Sequence, residues 1–148
     1  MTTLLGVSKA AKTLDQFKRD LFSRQQATAT YSDFNLHSQV MRIYEDCHKS
    51  GWDGDDSQPV TMETLLIATR LVESLPIDCR TPDISAEPDG NVILEWYISP
   101  RKLLNVSIAP TSILDWAALI GDEDPRGSCR FYDSAPETLK YWIGRVYG

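Results

Sequence analysis

The hydrophobic positions change period part-way along the chain. Leu14, Phe17 and Leu21 recur at i, i+3 and i+7 behind Thr13, which is placed to cap, and Asp15 in the first turn. That spacing predicts a helix. Gln25 to Ser32 is a polar connection rich in Ala and Thr. Leu36, Val40, Ile43 and Cys47 then fall at i, i+4, i+7 and i+11, one stripe of a second helix that Gly51 ends. A third helix is expected from Thr61 to about Ser74, with Met62, Leu65, Thr69 and Val72 on one face, Leu66 beside it and Pro76 as the stop.

Beyond that proline the pattern turns to strands. Pro88-Asp89-Gly90-Asn91 is a turn signal, and the run Val92 to Ile98 after it is rich in β-branched and aromatic residues. Ser99 to Lys102 makes a second turn, and Leu103 to Ala109 a second good strand. Ile84 to Glu87 and Ile113 to Ile120 read as weaker flanking strands. Connections this short imply antiparallel hairpins. A last helix is expected from about Pro136 to Val146, striped by Leu139, Trp142, Ile143 and Val146, with Pro136 suited to its first turn.

Helices first, then a meander, then one helix predicts a two-layer α+β fold with three or four antiparallel strands. Residues 1–148 are expected to form one domain. Within it, 1–12 is a flexible arm, 13–75 is mainly helical, 81–120 is the sheet and 136–146 is the C-terminal helix. A chain of 148 residues that is 42% hydrophobic can bury enough surface to fold without a metal or disulfide.

Charge narrows the partner class. Residues 1–50 carry seven basic and five acidic groups (+2), and residues 51–148 carry eight and 16 (−8), which together give the net −6. That balance disfavours direct binding to nucleic-acid phosphates, which draws on clustered Lys and Arg. Three widely spaced cysteines, Cys47, Cys79 and Cys129, match neither a disulfide framework nor a zinc knuckle and are expected as reduced thiols. The apolar stretch at the N-terminus is too short for a secretory signal or a membrane span, so a cytoplasmic location is expected.

Candidate chemistry is thin. Acid–base work near neutral pH would fall to His37 and His48, 11 residues apart on the second helix. Their tips would stand about 16 Å apart along its axis, too far for one metal or one catalytic pair, so each is read as a surface or boundary residue. The loop Asp53-Gly54-Asp55-Asp56-Ser57 fails the calcium-loop pattern, because Gln58 and Thr64 stand where Gly and Glu are needed. It is read as a tight structural turn in which Trp52, Asp53 and Gly54 pin the chain to the core. No phosphate-cradling, nucleophile-elbow or zinc motif occurs, and neither a catalytic residue, a metal nor a cofactor is assigned.

Glu95, between Leu94 and Trp96, is a candidate acid, or else a partner for Arg101 or Lys102 on the next strand. If Leu94 and Trp96 face the core, Ile93, Glu95 and Tyr97 share the other face, with Trp116 a further candidate for that stripe. The face is then either open to a partner or covered by the N-terminal helices.

Gly51-Trp52-Asp53-Gly54, Pro59, Pro88-Asp89-Gly90 and Leu94-Glu95-Trp96-Tyr97 together resemble a group of small uncharacterised bacterial proteins. Its members join a W-D-G loop, a helix and a P-D-G hairpin leading into an L-E-W strand. The resemblance covers about residues 45–146. It implies an association with mobile elements and with defence or toxin–antitoxin neighbourhoods.

The functional expectation is a non-enzymatic protein-binding module: an inhibitor, antitoxin or immunity-type protein of a bacterial or phage defence system. Ile93, Glu95 and Tyr97, with Asp122, Glu123 and Asp124, form the expected partner surface. The acidic groups would block a basic nucleic-acid-binding groove by complementary charge. The alternatives are a small hydrolase or nucleotide-modifying enzyme around Glu95, and a small subunit of a larger assembly.

Overall fold

The computed structural model describes residues 31–148 apart from residue 55. The expected arm at 1–12 and the helix striped by Leu14, Phe17 and Leu21 lie outside the described residues. Three helices follow: α1 (Tyr31–Cys47), α2 (Met62–Glu73) and, at the C-terminal end, α3 (Glu137–Tyr147). Between α2 and α3 run β1 (Asp83–Ala86), β2 (Val92–Ser99), β3 (Lys102–Ile108), β4 (Ile113–Ile120) and β5 (Arg126–Arg130). They form one antiparallel meander in the order β1-β2-β3-β4-β5.

The class is therefore α+β, with five strands where three or four were expected. The additional strand, β5, reads Arg126-Gly127-Ser128-Cys129-Arg130. It carries no alternating run of large hydrophobics: Gly127 lies against the Trp116 ring, and the strand's other residues are partly or fully exposed at the sheet edge.

Local chemistry explains the element ends. Thr61 caps α2, its side chain accepting from Thr64 N–H at 3.3 Å, and Glu63 lies in the positive first turn. The expected stripe of α2 needs one correction: Leu71 is fully buried and Val72 only partly so. In the turn between β1 and β2, Asp89 Oδ1 accepts from Asn91 N–H at 2.9 Å, and Gly90 takes φ +90°. A Cβ at Gly90 would stand 2.9 Å from the Pro59 carbonyl, so both backbone angle and clearance demand glycine there.

The Trp52 loop closes on itself. Trp52 Nε1 donates to Gln58 O at 2.6 Å, Asp53 N–H to Ser57 Oγ at 2.9 Å, and Ser57 Oγ to Gly54 O at 2.7 Å. Gln58 N–H then donates to Pro88 O at 2.7 Å. The W-D-G loop and the P-D-G turn are thus one packed unit beside the sheet.

The core lies between the helices and one face of the sheet. Val92, Leu94 and Trp96 of β2, Leu104, Val106 and Ile108 of β3, and Leu114 and Ala118 of β4 alternate inward. They meet Leu65, Ala68 and Leu71 of α2 and Leu139, Ile143 and Val146 of α3. Trp96 is 1% exposed, and its Nε1 donates to Arg80 O at 2.8 Å, which satisfies the one polar atom that burial would strand. α1 packs beside α2 and along β1, where Gln39 Oε1 accepts from Ile84 N–H at 3.2 Å. That contact satisfies a backbone donor on the sheet's free edge.

Candidate functional site

Because β2, β3 and β4 alternate, everything not in the core stands on the opposite face, and pairing registers set it out in rows. Tyr97, Leu103 and Leu119 are in line across β2, β3 and β4. The next row is Asp83, Glu95, Asn105, Ala117 and Arg126, from edge to edge. Then come Ser85, Ile93, Ser107, Asp115 and Ser128, with Ser128 donating to Asp115. Beyond them Ile113 pairs with Arg130, and Glu87 on the far side accepts from Ser107 Oγ at 2.6 Å.

No described helix packs on this outer face. Tyr97 is 49% and Leu119 37% exposed, while Leu103 between them is half-buried. Ile93, Glu95 and Tyr97 therefore share a face as expected from the alternation. Trp116 does not join them. It lies on the inner face, opposite Val106 and Gly127, with its ring 5.8 Å from that of Trp142 on α3. A tryptophan at an even position of β4 has to follow the buried register of Leu114 and Ala118.

Glu95 also departs from expectation. Its neighbours across the strands are Asp83 and Asn105, not a basic residue. Arg101 instead reaches the turn between β4 and β5, donating to Gly121 O at 3.2 Å and standing 3.8 Å from Asp122 Oδ1. The pairing register carries Lys102 to Ser99 and Ile120, away from Glu95.

Asp122, Glu123 and Asp124 form that exposed turn, at the same end of the sheet as Tyr97, Leu103 and Leu119. It is not uniformly acidic. Arg145 of α3 donates to Glu123 Oε2 at 3.2 Å, so two guanidinium groups face three carboxylates. Asp124 has no basic partner among the described residues.

The histidines stand elsewhere. His37 is 3% exposed, against the expectation of a surface or boundary residue, and its Nε2 lies 3.4 Å from Glu73 Oε1 between α1 and α2. His48 Nδ1 donates to Tyr44 O at 2.7 Å, and its ring stacks on that of Tyr44. Burial raises the Cys47, Cys79 and Cys129 thiols above the ordinary value, with Asp46 and Asp53 adding at Cys47, Asp78 at Cys79 and Asp115 at Cys129. A raised thiol is a poor nucleophile at neutral pH.

Two clefts lined by described residues take in neither Glu95 nor a histidine. One, of about 310 Å³, lies between Cys79, Arg80, Ile143 and Tyr147, with Arg80 stacked 4.7 Å above the Tyr147 ring. The other, of about 420 Å³, lies between Arg70, Glu73 and Tyr132. Among the described residues no three His, Cys, Asp or Glu side chains gather as metal ligands.

No protein-family model, curated protein or solved structure matches this chain. No helix among the described residues is long and apolar enough to cross a membrane.

Strand alternation alone puts Ile93, Glu95 and Tyr97 on one face, and the pairing register adds Leu103, Leu119, Asn105, Arg126 and Arg130 to it. The signal for Leu103 and Leu119 was present. Tight turns at both ends of β3 fix the register, and the register places Leu103 and Leu119 beside Tyr97.

Proposed function

We propose that this chain is a non-enzymatic protein-binding module of the inhibitor, antitoxin or immunity type, working in bacterial or phage defence or counter-defence. It docks its partner through the outer face of the sheet. The carrying observation is the row Tyr97–Leu103–Leu119, three apolar side chains in register on a face that no described helix covers. A contiguous apolar row ringed by polar groups is the surface pattern of protein docking sites. The separation of Glu95 from both histidines gives the enzyme reading less support. A small subunit of a larger assembly would use this same face.

The acidic turn at the end of that row supports a second element of the reading: repulsion from nucleic acid and attraction to a basic groove on the partner. Arg101 and Arg145 offset part of its charge, so it steers encounter more than it tightens the complex.

The test is recovery of partners by the tagged full chain from nuclease-treated extract of its host, with mass spectrometry. Wild type is expected to recover one protein in stoichiometric amount. Tyr97→Arg with Leu119→Arg should reduce that recovery about tenfold or more. Equal recovery by both chains sinks the docking face. With the partner in hand, Lys at 122, 123 and 124 together should slow association and flatten its salt dependence. An unchanged on-rate removes the groove-blocking element.

A further inference from the structure

Resting on the reading of the outer face as a protein-docking surface, we infer that its occupant is a second copy of this chain, related by a two-fold axis parallel to β3. The charges on this face are distributed by edge. Asp83 stands on the β1 edge, while Arg126 and Arg130 stand on the β5 edge, all three exposed and without an ion pair among the described residues. Glu95 and Glu87 add to the acidic side.

Two sheets packed face to face lie about 10 Å apart. A two-fold axis along β3 carries the β1 edge of one copy over the β5 edge of the other and leaves each row facing itself. Asp83 then meets the partner's Arg126. Leu103 packs on the partner's Leu103, and Tyr97 on the partner's Leu119. Glu95 lies over the small Ala117 beside Arg126, and Ile93 lies over the Asp115–Ser128 pair. The alternative axis, perpendicular to the strands, sets Asp83 near Asp83 and turns the apolar row onto the charged row of Glu87 and Arg130. Charge and row order therefore select one axis. An isologous contact needs such self-complementarity.

Asn105 sits on the selected axis. Its Oδ1 is buried and accepts no hydrogen bond. A turn about its broad χ2 torsion presents the amide to the identical amide across the axis, where each can donate one bond and accept one. The sheet is five strands wide. At about 4.8 Å per strand and roughly 24 Å of strand length, each copy buries on the order of 500 Å². The total of about 1,000 Å² is at the lower bound for a specific interface. The dimer is accordingly a reversible one. The proposed partner docks on the same row and therefore competes with the second copy for it.

Sedimentation velocity of the full chain from about 1 to 200 µM tests this. A reversible monomer–dimer equilibrium is expected. Leu103→Glu should abolish the dimer, and Asp83→Arg should weaken it about tenfold or more. Asp83→Arg combined with Arg126→Asp should restore it to within about threefold of wild type, because the pair is exchanged rather than lost. The charge variants lie on exposed edges, so they keep the test decisive if Leu103→Glu fails to fold. A wild-type chain that stays monomeric throughout, a dimer indifferent to these substitutions, or a double variant no better than Asp83→Arg overturns the inference. Capture of an extract protein through Tyr97 by a strictly monomeric chain removes the dimer and leaves the proposed function standing. A dimer that obeys the charge exchange, with Tyr97 and Leu119 substitutions leaving extract recovery unchanged, does the reverse.

Discussion

Val92, Leu94 and Trp96 on one face of β2 are buried beneath helices, whereas Ile93, Glu95 and Tyr97, each a chain neighbour of one of them, stand on a face that no described helix covers. Both faces carry large apolar residues, so hydrophobicity alone does not distinguish them. The inner face is continuous: Leu104, Val106, Ile108 and Leu114 extend it without a polar break. The outer face alternates an apolar row with rows holding Glu95, Asn105, Ser107 and Asp115. A surface of the first kind holds a fold together. The second keeps its apolar row among charged and polar rows, and none of the described helices buries it.

The sharpest break of this comparison is a pair of adjacent leucines. Leu104→Ala should cost about 2–5 kcal/mol in urea unfolding, since it empties a fully buried site. Leu103→Ala, one residue earlier and facing outward, should cost less than about 1 kcal/mol in the monomer. Equal losses would mean that the outer face is covered. At β5 the contrast repeats with small residues. A Cβ at Gly127 would lie 2.7 Å from Trp116 Cζ2, so Gly127→Ala should destabilise by about 1–3 kcal/mol as the indole shifts. Ser128→Ala, on the outer side, should stay within about 0.5–1 kcal/mol.

A smaller gain is expected at the turn between β3 and β4. Ser112 takes φ 67°, where a side chain is strained, while its N–H bonds Ala109 O at 3.0 Å. Ser112→Gly should raise stability by up to about 1 kcal/mol in the same titration. No gain, or a loss, would assign the Ser112 side chain a contact that outweighs its strain.

Last is a dependence on alkaline pH. The Cys47 and Cys129 thiols belong to the helix-covered side and are raised by burial first, then by nearby carboxylates. Cys79 shares the direction. With the folded value above the unfolded one, the unfolded chain sheds these protons first. Stability is therefore unaffected below the ordinary thiol range and falls as pH rises through and beyond it. Unfolding midpoints followed from neutral to alkaline pH should drop, and Cys129→Ser should reduce the drop. A flat profile would place the thiols in water.

Much of this fold was legible in advance. Helix and strand periods located α1, α2, β1, β2, β3, β4 and α3, and Thr61 marked the start of α2, while α1 ends at Cys47, four residues before Gly51. The edge strand β5 escaped notice since its pairing with β4 depends on a partner strand rather than on its own composition. The side that Trp116 faces has the same origin: it follows from the register with Val106, which no local pattern encodes. His37 looked like a surface residue on a helical stripe, yet it lies between α1 and α2 beside Glu73.

The sequence by itself determined the α+β class, the antiparallel order implied by short turns, the alternation that puts Glu95 opposite Trp96, and the net acidic balance. Periodicity, turn length and net charge are properties of consecutive residues or of their sum. Tertiary structure alone decided that Leu103 and Leu119 extend the Tyr97 row, that Arg101 answers Asp122 rather than Glu95, and that Asp83 and Arg126 stand at opposite edges of one row. Those relations hold between residues far apart in the chain. They exist only once strand pairing has set the register and the described helices have packed on one face of the sheet.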